Sequence, residues 1–128
     1  MQREKAFSGS PYEKSVGFCR AIRTGKMITV AGTAPIAPDG STACPGDAFG
    51  QARRCFEIIK SAVEELGGNL SEIYRTRMFI TDAAMGDEIG RAHGEFFSDI
   101  QPAATMVVVK SLLRDDWFVE IEADCLIE

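Results

Sequence analysis

The sequence predicts an α+β domain in which one mixed β-sheet carries two helices on a single face. Stretches rich in β-branched residues flank two segments whose apolar residues recur every three or four positions. The order of these segments is strand, strand, helix, strand, helix, strand, strand, which is typical of a single layer of helices on a sheet. The chain has 128 residues, which suits one domain spanning 1–128 and is too short for two.

The first two predicted strands form a hairpin after a polar lead. Residues 15–25 end in a Thr-Gly turn, and the mostly apolar residues 27–36 follow directly. Residues 37–47 are rich in Pro, Gly, Ser and Asp, so we expect a surface loop there.

Two amphipathic helices are predicted. The first begins near Asp47, which can cap it, and ends at the Gly67-Gly68 pair. The second covers residues 85–97, although its three glycines each weaken it by up to about 1 kcal/mol relative to alanine. Both segments have an apolar stripe that needs a sheet to cover it.

Three more strands complete the predicted sheet. Residues 73–81 alternate between two faces, and the unbroken valines of 105–113 predict a strand buried on both faces. Residues 117–128 alternate apolar and acidic side chains. A sheet covered on one side leaves its other face to be buried, which favours self-association.

Composition and charge exclude several functional classes. The net charge is -5 and the lysines and arginines are scattered, so nucleic acid is not an expected partner. Four cysteines without a C-x-x-C pair and a single histidine predict free thiols, with no zinc site, disulfide framework or cofactor. The apolar runs are too short for a membrane span and the N-terminus lacks a signal-peptide pattern, so we expect a cytoplasmic protein with no membrane partner.

Four segments occur in the order and spacing of a known family. They are GFCRAIRTGKMITVAGTAP at 17–35, QARRCFEIIKSAVEELGGNLSEIYRTRMFITD at 51–82, GEFFSDIQPAAT at 94–105 and VEIEADCLI at 119–127. On these segments the chain resembles the YjgF/RidA family of reactive-imine deaminases, also labelled endoribonuclease L-PSP-like. The resemblance implies a chorismate-mutase-like fold and a homotrimer with a small-molecule ligand in each of three clefts between subunits.

The resemblance also implies which groups act and which one is missing. In the active deaminases an arginine after the loop proline binds the carboxylate of a small imine acid, and a glutamate on the last strand helps water to attack the C=N carbon. Glu120 matches that glutamate, whereas Ala104 stands at the position of the arginine. Phe18 and Met106 replace a tyrosine and a cysteine that are common in active members, and Gly32 is retained.

The predicted site therefore has one catalytic candidate, Glu120, and a set of cleft residues. The cleft residues are Phe18, Arg20, Gly32, Ala104, Thr105 and Met106. Arg20 either replaces the missing clamp or forms a structural salt bridge, and Arg23 faces the opposite side of the strand. Glu122 shares a face with Glu120, either as a paired carboxylate or as part of a solvated strand face.

Other polar residues are assigned structural roles. His93, the only histidine, lies on a helix stripe with no identifiable nucleophile, so a packing role is predicted. Arg75 and Arg77 share one strand face beside many acids, which is typical of a solvated face.

The leading hypothesis is a trimer that binds a small metabolite in its clefts without standard 2-imino acid deaminase activity. One alternative is a hydrolase or deaminase with a changed imine or enamine substrate, using Glu120 together with either Arg20 or backbone amides. Another alternative is an endoribonuclease, which the acidic charge and the absence of an RNA-stacking motif oppose.

Overall fold

The computed structural model describes residues 2–128, which form a six-stranded sheet with two helices on one face. The elements are β1 (Arg3–Ala6), β2 (Ala21–Thr24), β3 (Met27–Thr33), α1 (Ala48–Glu65), β4 (Ile73–Ile80), α2 (Gly86–Phe97), β5 (Ala103–Val108) and β6 (Val119–Leu126). The strand order across the sheet is β1-β2-β3-β6-β4-β5. Neighbours are antiparallel except β4 and β5, which are parallel, so the predicted mixed α+β architecture is confirmed.

The core lies between the helices and the sheet. Fully buried side chains include Phe56 and Ile59 of α1, Ile89 and Phe97 of α2, and Ile121 of β6. Burying one such side chain contributes about 1.5–3 kcal/mol, so this layer fixes the central strands in place. The alternation predicted for the last strand is confirmed, because its apolar members face the helices and its acidic members do not.

Helix α1 begins where the sequence predicts. The side chain of Asp47 accepts a hydrogen bond from the backbone N–H of Gly50 at 3.0 Å, which satisfies one of the free donors of the first turn. Gly67 follows the helix with a φ of +91°, a conformation that side chains with a Cβ rarely adopt.

The N-terminal part differs from its prediction. Glu13–Gly17 forms a single π-helical turn where the sequence predicted a strand from residue 15. Gly17 has a φ of +95°, which turns the chain sharply and is incompatible with a strand. Strand β1, which no sequence pattern predicted, pairs with β2 at the edge of the sheet. The predicted hairpin survives as β2 and β3.

The side-chain facing of β4 is also partly different. Thr76, Met78 and Ile80 face the helices as the alternation predicts. In the predicted alternation Ile73 faces the side of the sheet opposite to Thr76, yet it is buried in the same core as Thr76's neighbours Met78 and Ile80. The pairing between β4 and β6 shifts between Ile73 and Arg75, and this irregularity turns Ile73 toward the helices.

Strand β5 lies at the edge of the sheet, and its valines are not buried. Val107 is 42% exposed and Val108 is 55% exposed. Within residues 2–128 β5 pairs only with β4, so its outer edge has no covering element. The prediction of a strand buried on both faces is therefore wrong for the single chain.

Candidate functional site

A cavity of about 340 Å³ lies where β3 ends and β6 begins. The segment of residues 8–18 forms one wall, and the loop between β5 and β6 forms another. Most of the lining is apolar, with Val16, Phe18, Ala34, Ile36, Leu113 and Trp117 among its members. A cavity of this size with few polar groups is typical of a small-molecule site.

The carboxyl group of Glu120 lies against the backbone of Gly32. A Cβ placed on residue 32 would stand 2.6 Å from Oε2 of Glu120, so only glycine leaves room for the carboxyl in this position. Both residues line the cavity, as does Phe18. The structure thus brings together four of the predicted site residues, the fourth being Arg20.

Burial raises the pKa of Glu120 above its ordinary value. The positive charge of Arg20 opposes this rise, and the negative charge of Glu122 adds to it. A carboxyl whose pKa is raised can exchange a proton closer to neutral pH, which is the property that general acid–base catalysis uses.

We expect the variant Glu120→Gln to be more stable than the wild type at pH 7. Because the folded-state pKa of Glu120 is raised, the wild type loses stability as the pH rises from the ordinary glutamate value through the folded value. The advantage of the variant should therefore disappear in acid, below the ordinary value. Urea unfolding of both proteins at several pH values measures this difference, and an advantage that grows in acid would contradict it.

Arg20 is buried, with 3% of its surface exposed, and its charge is paired with Glu13. Nε of Arg20 donates to Oε2 of Glu13 at 3.0 Å. Nη1 donates to the carbonyl oxygen of Gly32 and, at 3.1 Å, to the hydroxyl of Thr33. These contacts match the structural alternative for Arg20, and they occupy its Nε and Nη1 atoms.

The partner acid Glu13 is itself held in place. Its carboxylate accepts hydrogen bonds from the backbone N–H of Ser8, at 3.0 Å, and from the Ser8 hydroxyl. Glu13 is 4% exposed. The ion pair therefore fastens residues 8–18 over the ends of β2 and β3, where they form a wall of the cavity.

The remaining predicted cleft residues lie elsewhere. Ala104, Thr105 and Met106 belong to β5, which β4 separates from β6, and none of them lines the cavity. Ala104 is in register with Thr76 and Ala123, whose side chains are buried under the helices. On β6, Glu120 is three positions from Ala123, and side chains an odd number of positions apart on a strand face opposite sides. The side chain of Glu120 therefore faces the side of the sheet away from the helices.

Met106 contacts the start of α2. A Cβ on Gly86 would stand 3.6 Å from the Met106 sulfur. Residues 104–106 are therefore about 10 Å from the strand that carries Glu120, the distance across two strand spacings. Within one chain the predicted site is divided into two groups.

The other polar candidates have structural contacts. Nε2 of His93 is 2.9 Å from the hydroxyl of Thr76, and burial lowers the pKa of His93, which favours the neutral ring. Arg77 donates to Glu122 at 3.1 Å on the open face of the sheet, so Glu122 is engaged outside the cavity. Arg23 donates to the carbonyl oxygen of Leu66 at the end of α1.

Cysteine, metal and membrane features are as follows. Cys55 and Cys125 are buried, and burial raises the pKa of the Cys125 thiol to about 11, so both behave as packing residues.

Among residues 2–128 no cluster of three side chains offers a metal site. Over the same residues, no helix has the length and apolarity to cross a membrane.

Two residues that shape this region are outside the predicted set: Trp117, which lines the cavity, and Glu13, which holds residues 8–18 in place through Arg20. Glu13 shows no pattern in the sequence that links it to Arg20. Trp117 is 2% exposed, and its loop is fixed by the buried Gln51, whose amide donates to the carbonyl oxygen of Asp116 and accepts from the N–H of Phe118, both at 2.8 Å. The only signal for Trp117 is that the sole tryptophan opens the predicted strand 117–128, two residues before β6 begins.

Comparisons with known proteins agree with this fold. Residues 10–127 match the family model described as Endoribonuclease L-PSP. The chain is 33% identical to the "Uncharacterized protein SCO2049" of Streptomyces coelicolor over 117 residues, which are 91% of this chain and 87% of the relative.

Solved structures give the same result. The crystal structure of Rv2704 from Mycobacterium tuberculosis, a member of the YjgF/YER057c/UK114 family, superposes with a TM-score of 0.89 and 34% identity, covering 98% of this chain and 100% of the other. The structure of E. coli TdcF with bound serine superposes with a TM-score of 0.81 and 26% identity, covering 97% and 94%. The chain therefore belongs to the endoribonuclease L-PSP family, the YjgF/RidA family that its sequence resembles.

Proposed function

We propose that this protein is a homotrimer whose clefts bind a small uncharged metabolite and that it lacks 2-imino acid deaminase activity. One observation carries the proposal: the arginine at the cavity, Arg20, is paired with the buried Glu13, and Ala104 offers no second guanidinium. Within residues 2–128, Arg20 is the only cation among the residues that line the cavity, so a carboxylate that enters meets Glu120 with no unpaired lining cation to balance it. The guanidinium of Arg114 lies just outside this lining, over the rings of Tyr12 and Trp117. Losing a charge-assisted hydrogen bond worth about 1.5–3 kcal/mol lowers affinity by roughly one to two powers of ten.

The division of the predicted site supports the trimer. Glu120 and the side chain of Ala104 lie on opposite faces of one sheet, so the two groups can share a cleft only if different chains supply them. Exposed apolar residues on the sheet edge, Val107 and Val108, provide a surface for such contact.

The bound serine of TdcF supports a small-molecule ligand for this fold. Serine carries a carboxylate, and the only cation that residues 2–128 place in the lining of the cavity described above, Arg20, is already paired with Glu13. The ligand of this protein is therefore expected to be less polar, in keeping with the apolar lining around Phe18 and Trp117.

The test is the hydrolysis of 2-imino acids that an amino acid oxidase generates in the assay. Wild type is expected to leave the rate of ammonia release unchanged, whereas Ala104→Arg should accelerate it by restoring the clamp. The double variant Arg20→Gln with Glu13→Gln serves as a control that removes both buried charges together. Efficient hydrolysis by wild type would overturn the proposal, and its loss in the double variant would make Arg20 the clamp.

A hydrolase with a different substrate is the second candidate, and the raised pKa of Glu120 favours it. In that reaction water adds to the carbon of a neutral C=N bond while Glu120 passes a proton to the nitrogen, and the C–N bond then breaks to give a carbonyl compound and an amine. Turnover of a neutral imine that Glu120→Gln abolishes would support this candidate.

RNA cleavage, which the family description names, has little support in this chain. The net charge is -5, and the only histidine is half-buried beside Thr76. RNA-binding surfaces are basic and use exposed aromatic rings for base stacking.

A further inference from the structure

We propose that the side chain of Tyr12, held by Arg114, is a gate that controls how fast a ligand enters and leaves the cavity. The gate is closed in this structure, and it opens when the hydrogen bond between the two side chains breaks. The inference rests on the proposed small-molecule function and adds the step that limits ligand exchange.

The opening of the cavity in each chain lies between two of its walls. Val16 belongs to the segment of residues 8–18, and Leu113 belongs to the loop between β5 and β6. Both side chains line the cavity, yet Val16 is 69% exposed and Leu113 is 79% exposed. A side chain that lines a cavity and is also strongly exposed lies where the cavity meets the surface. A ligand therefore passes between the segment and the loop.

The ring of Tyr12 joins these two walls. Tyr12 lines the cavity from the side of the segment, and its ring packs edge-on against Trp117 of the loop, with ring centroids 5.8 Å apart. Its hydroxyl accepts a hydrogen bond at 3.2 Å from Nε of Arg114, the residue that follows Leu113. A ring that contacts both sides of a passage obstructs it, so the passage widens when the ring moves.

Arg114 is itself fixed beside the opening. Its Nη1 donates to the carbonyl oxygen of Gly40 at 3.0 Å, which joins the loop of residues 37–47 to the same region. The guanidinium lies 5.2 Å from the ring centroid of Trp117. None of the ion pairs within residues 2–128 includes Arg114. Since no carboxylate competes for it, the Nε–H group is available to the hydroxyl of Tyr12.

The backbone on both sides of the opening is anchored, so the moving part is the side chain of Tyr12. The next residue, Glu13, is buried and paired with Arg20. On the other side, two hydrogen bonds of 2.8 Å to Gln51 hold the loop around Trp117. Within residues 2–128 the side chain of Tyr12 makes one hydrogen bond, and the residue is half-buried. Breaking that bond frees the ring to change its rotamer while both walls stay folded.

The exchange kinetics of benzamide test the gate. Benzamide is small, uncharged and aromatic, so its ring current shifts the resonances of groups that line the cavity. Trp117 is the only tryptophan and lines the cavity, so its indole N–H gives one reporter resonance in a ¹H–¹⁵N spectrum. The backbone N–H groups of Gly32 and Ala34 are further reporters. Line shapes during a titration yield the dissociation constant and both rate constants.

The matched variant is Tyr12→Phe, which keeps the ring and removes the hydroxyl that Arg114 holds. Loss of this hydrogen bond should raise the association and the dissociation rate constants about five- to tenfold each. Because the gate closes over the empty and the filled cavity alike, the dissociation constant should change less than about twofold.

Two further variants make the test specific. Arg114→Lys keeps the charge but loses the planar set of donors that reaches Tyr12 and Gly40, so it should raise both rate constants in the same way. Tyr74→Phe, at an exposed residue outside the cavity, is the control and should change neither.

The outcomes separate the inference from the proposed function. If benzamide binds and Tyr12→Phe leaves both rate constants unchanged, the gate is overturned while small-molecule binding stands. A weaker affinity with a change in the dissociation rate constant alone would also overturn it, since Tyr12 would then hold the ligand rather than control its passage. Acceleration by Tyr12→Phe without acceleration by Arg114→Lys would overturn the role of Arg114. If benzamide does not bind to the wild type, the proposed function and the gate both fail.

Discussion

Glu13→Gln is expected to lower the free energy of unfolding by about 3–5 kcal/mol, the range for removing one partner of a buried ion pair. The variant leaves the guanidinium of Arg20 buried without a counterion, since both side chains are 4% exposed in the wild type. It also loosens the segment of residues 8–18 that Glu13 fastens over the sheet. Urea unfolding, followed by the fluorescence of Trp117, measures the loss.

Two controls make this prediction specific. Glu64→Gln breaks the exposed ion pair with Lys60 and should cost less than about 1 kcal/mol. The double variant Glu13→Gln with Arg20→Gln removes both buried charges and should recover part of the loss. A cost for Glu13→Gln no larger than that of Glu64→Gln would mean that the buried pair does not hold the segment.

Gly32→Ala is expected to abolish most ligand binding with little change in stability. The added Cβ would stand 2.6 Å from Oε2 of Glu120, and this carboxyl ends a flexible side chain that can move away. The free energy of unfolding should therefore change by less than about 1 kcal/mol. The methyl group and the displaced carboxyl alter the cavity, so its affinity for benzamide, a small uncharged probe that suits the apolar lining, should fall at least about tenfold. Calorimetric titration with benzamide measures this loss.

Gly90→Ala is the matched control. Apart from the nearby backbone of its own helix, no atom lies within 4 Å of the position of its Cβ, and the residue is inside α2. The substitution should raise stability by up to about 1 kcal/mol through helix propensity and leave benzamide binding unchanged. Equal benzamide affinity of the wild type and Gly32→Ala would contradict the prediction. It would mean that binding does not require the Glu120 carboxyl to lie against a glycine at residue 32.

Local patterns predicted most of the fold because its helices and central strands repeat a simple periodicity. The apolar stripe of α1 and the alternation of β6 both report directly which side faces the core. The segment before β2 has no such period, and its π-helical turn depends on Gly17 and on the tertiary contact of Glu13 with Arg20. The sequence shows that the valines of β5 are apolar. It does not show whether the same chain or another chain covers them.

The site was predictable only where the family resemblance marked its residues. Glu120, Gly32 and Phe18 were identified in this way and lie around one cavity. The position of Ala104 was also identified, but its strand register places it on the other face of the sheet. Glu13 was missed because the π-helical turn that brings it to Arg20 has no sequence signal, and Trp117 was missed because it lies in a loop outside regular structure.

The open edge of β5 has a consequence for the single chain before it joins the proposed trimer. An uncovered strand with exposed valines is a template to which any other extended segment can add. Newly synthesised chains that wait at low concentration therefore face a competition between correct assembly and aggregation. The yield of protein in a cell should depend on how fast chains meet each other, and lowering the expression rate need not improve it.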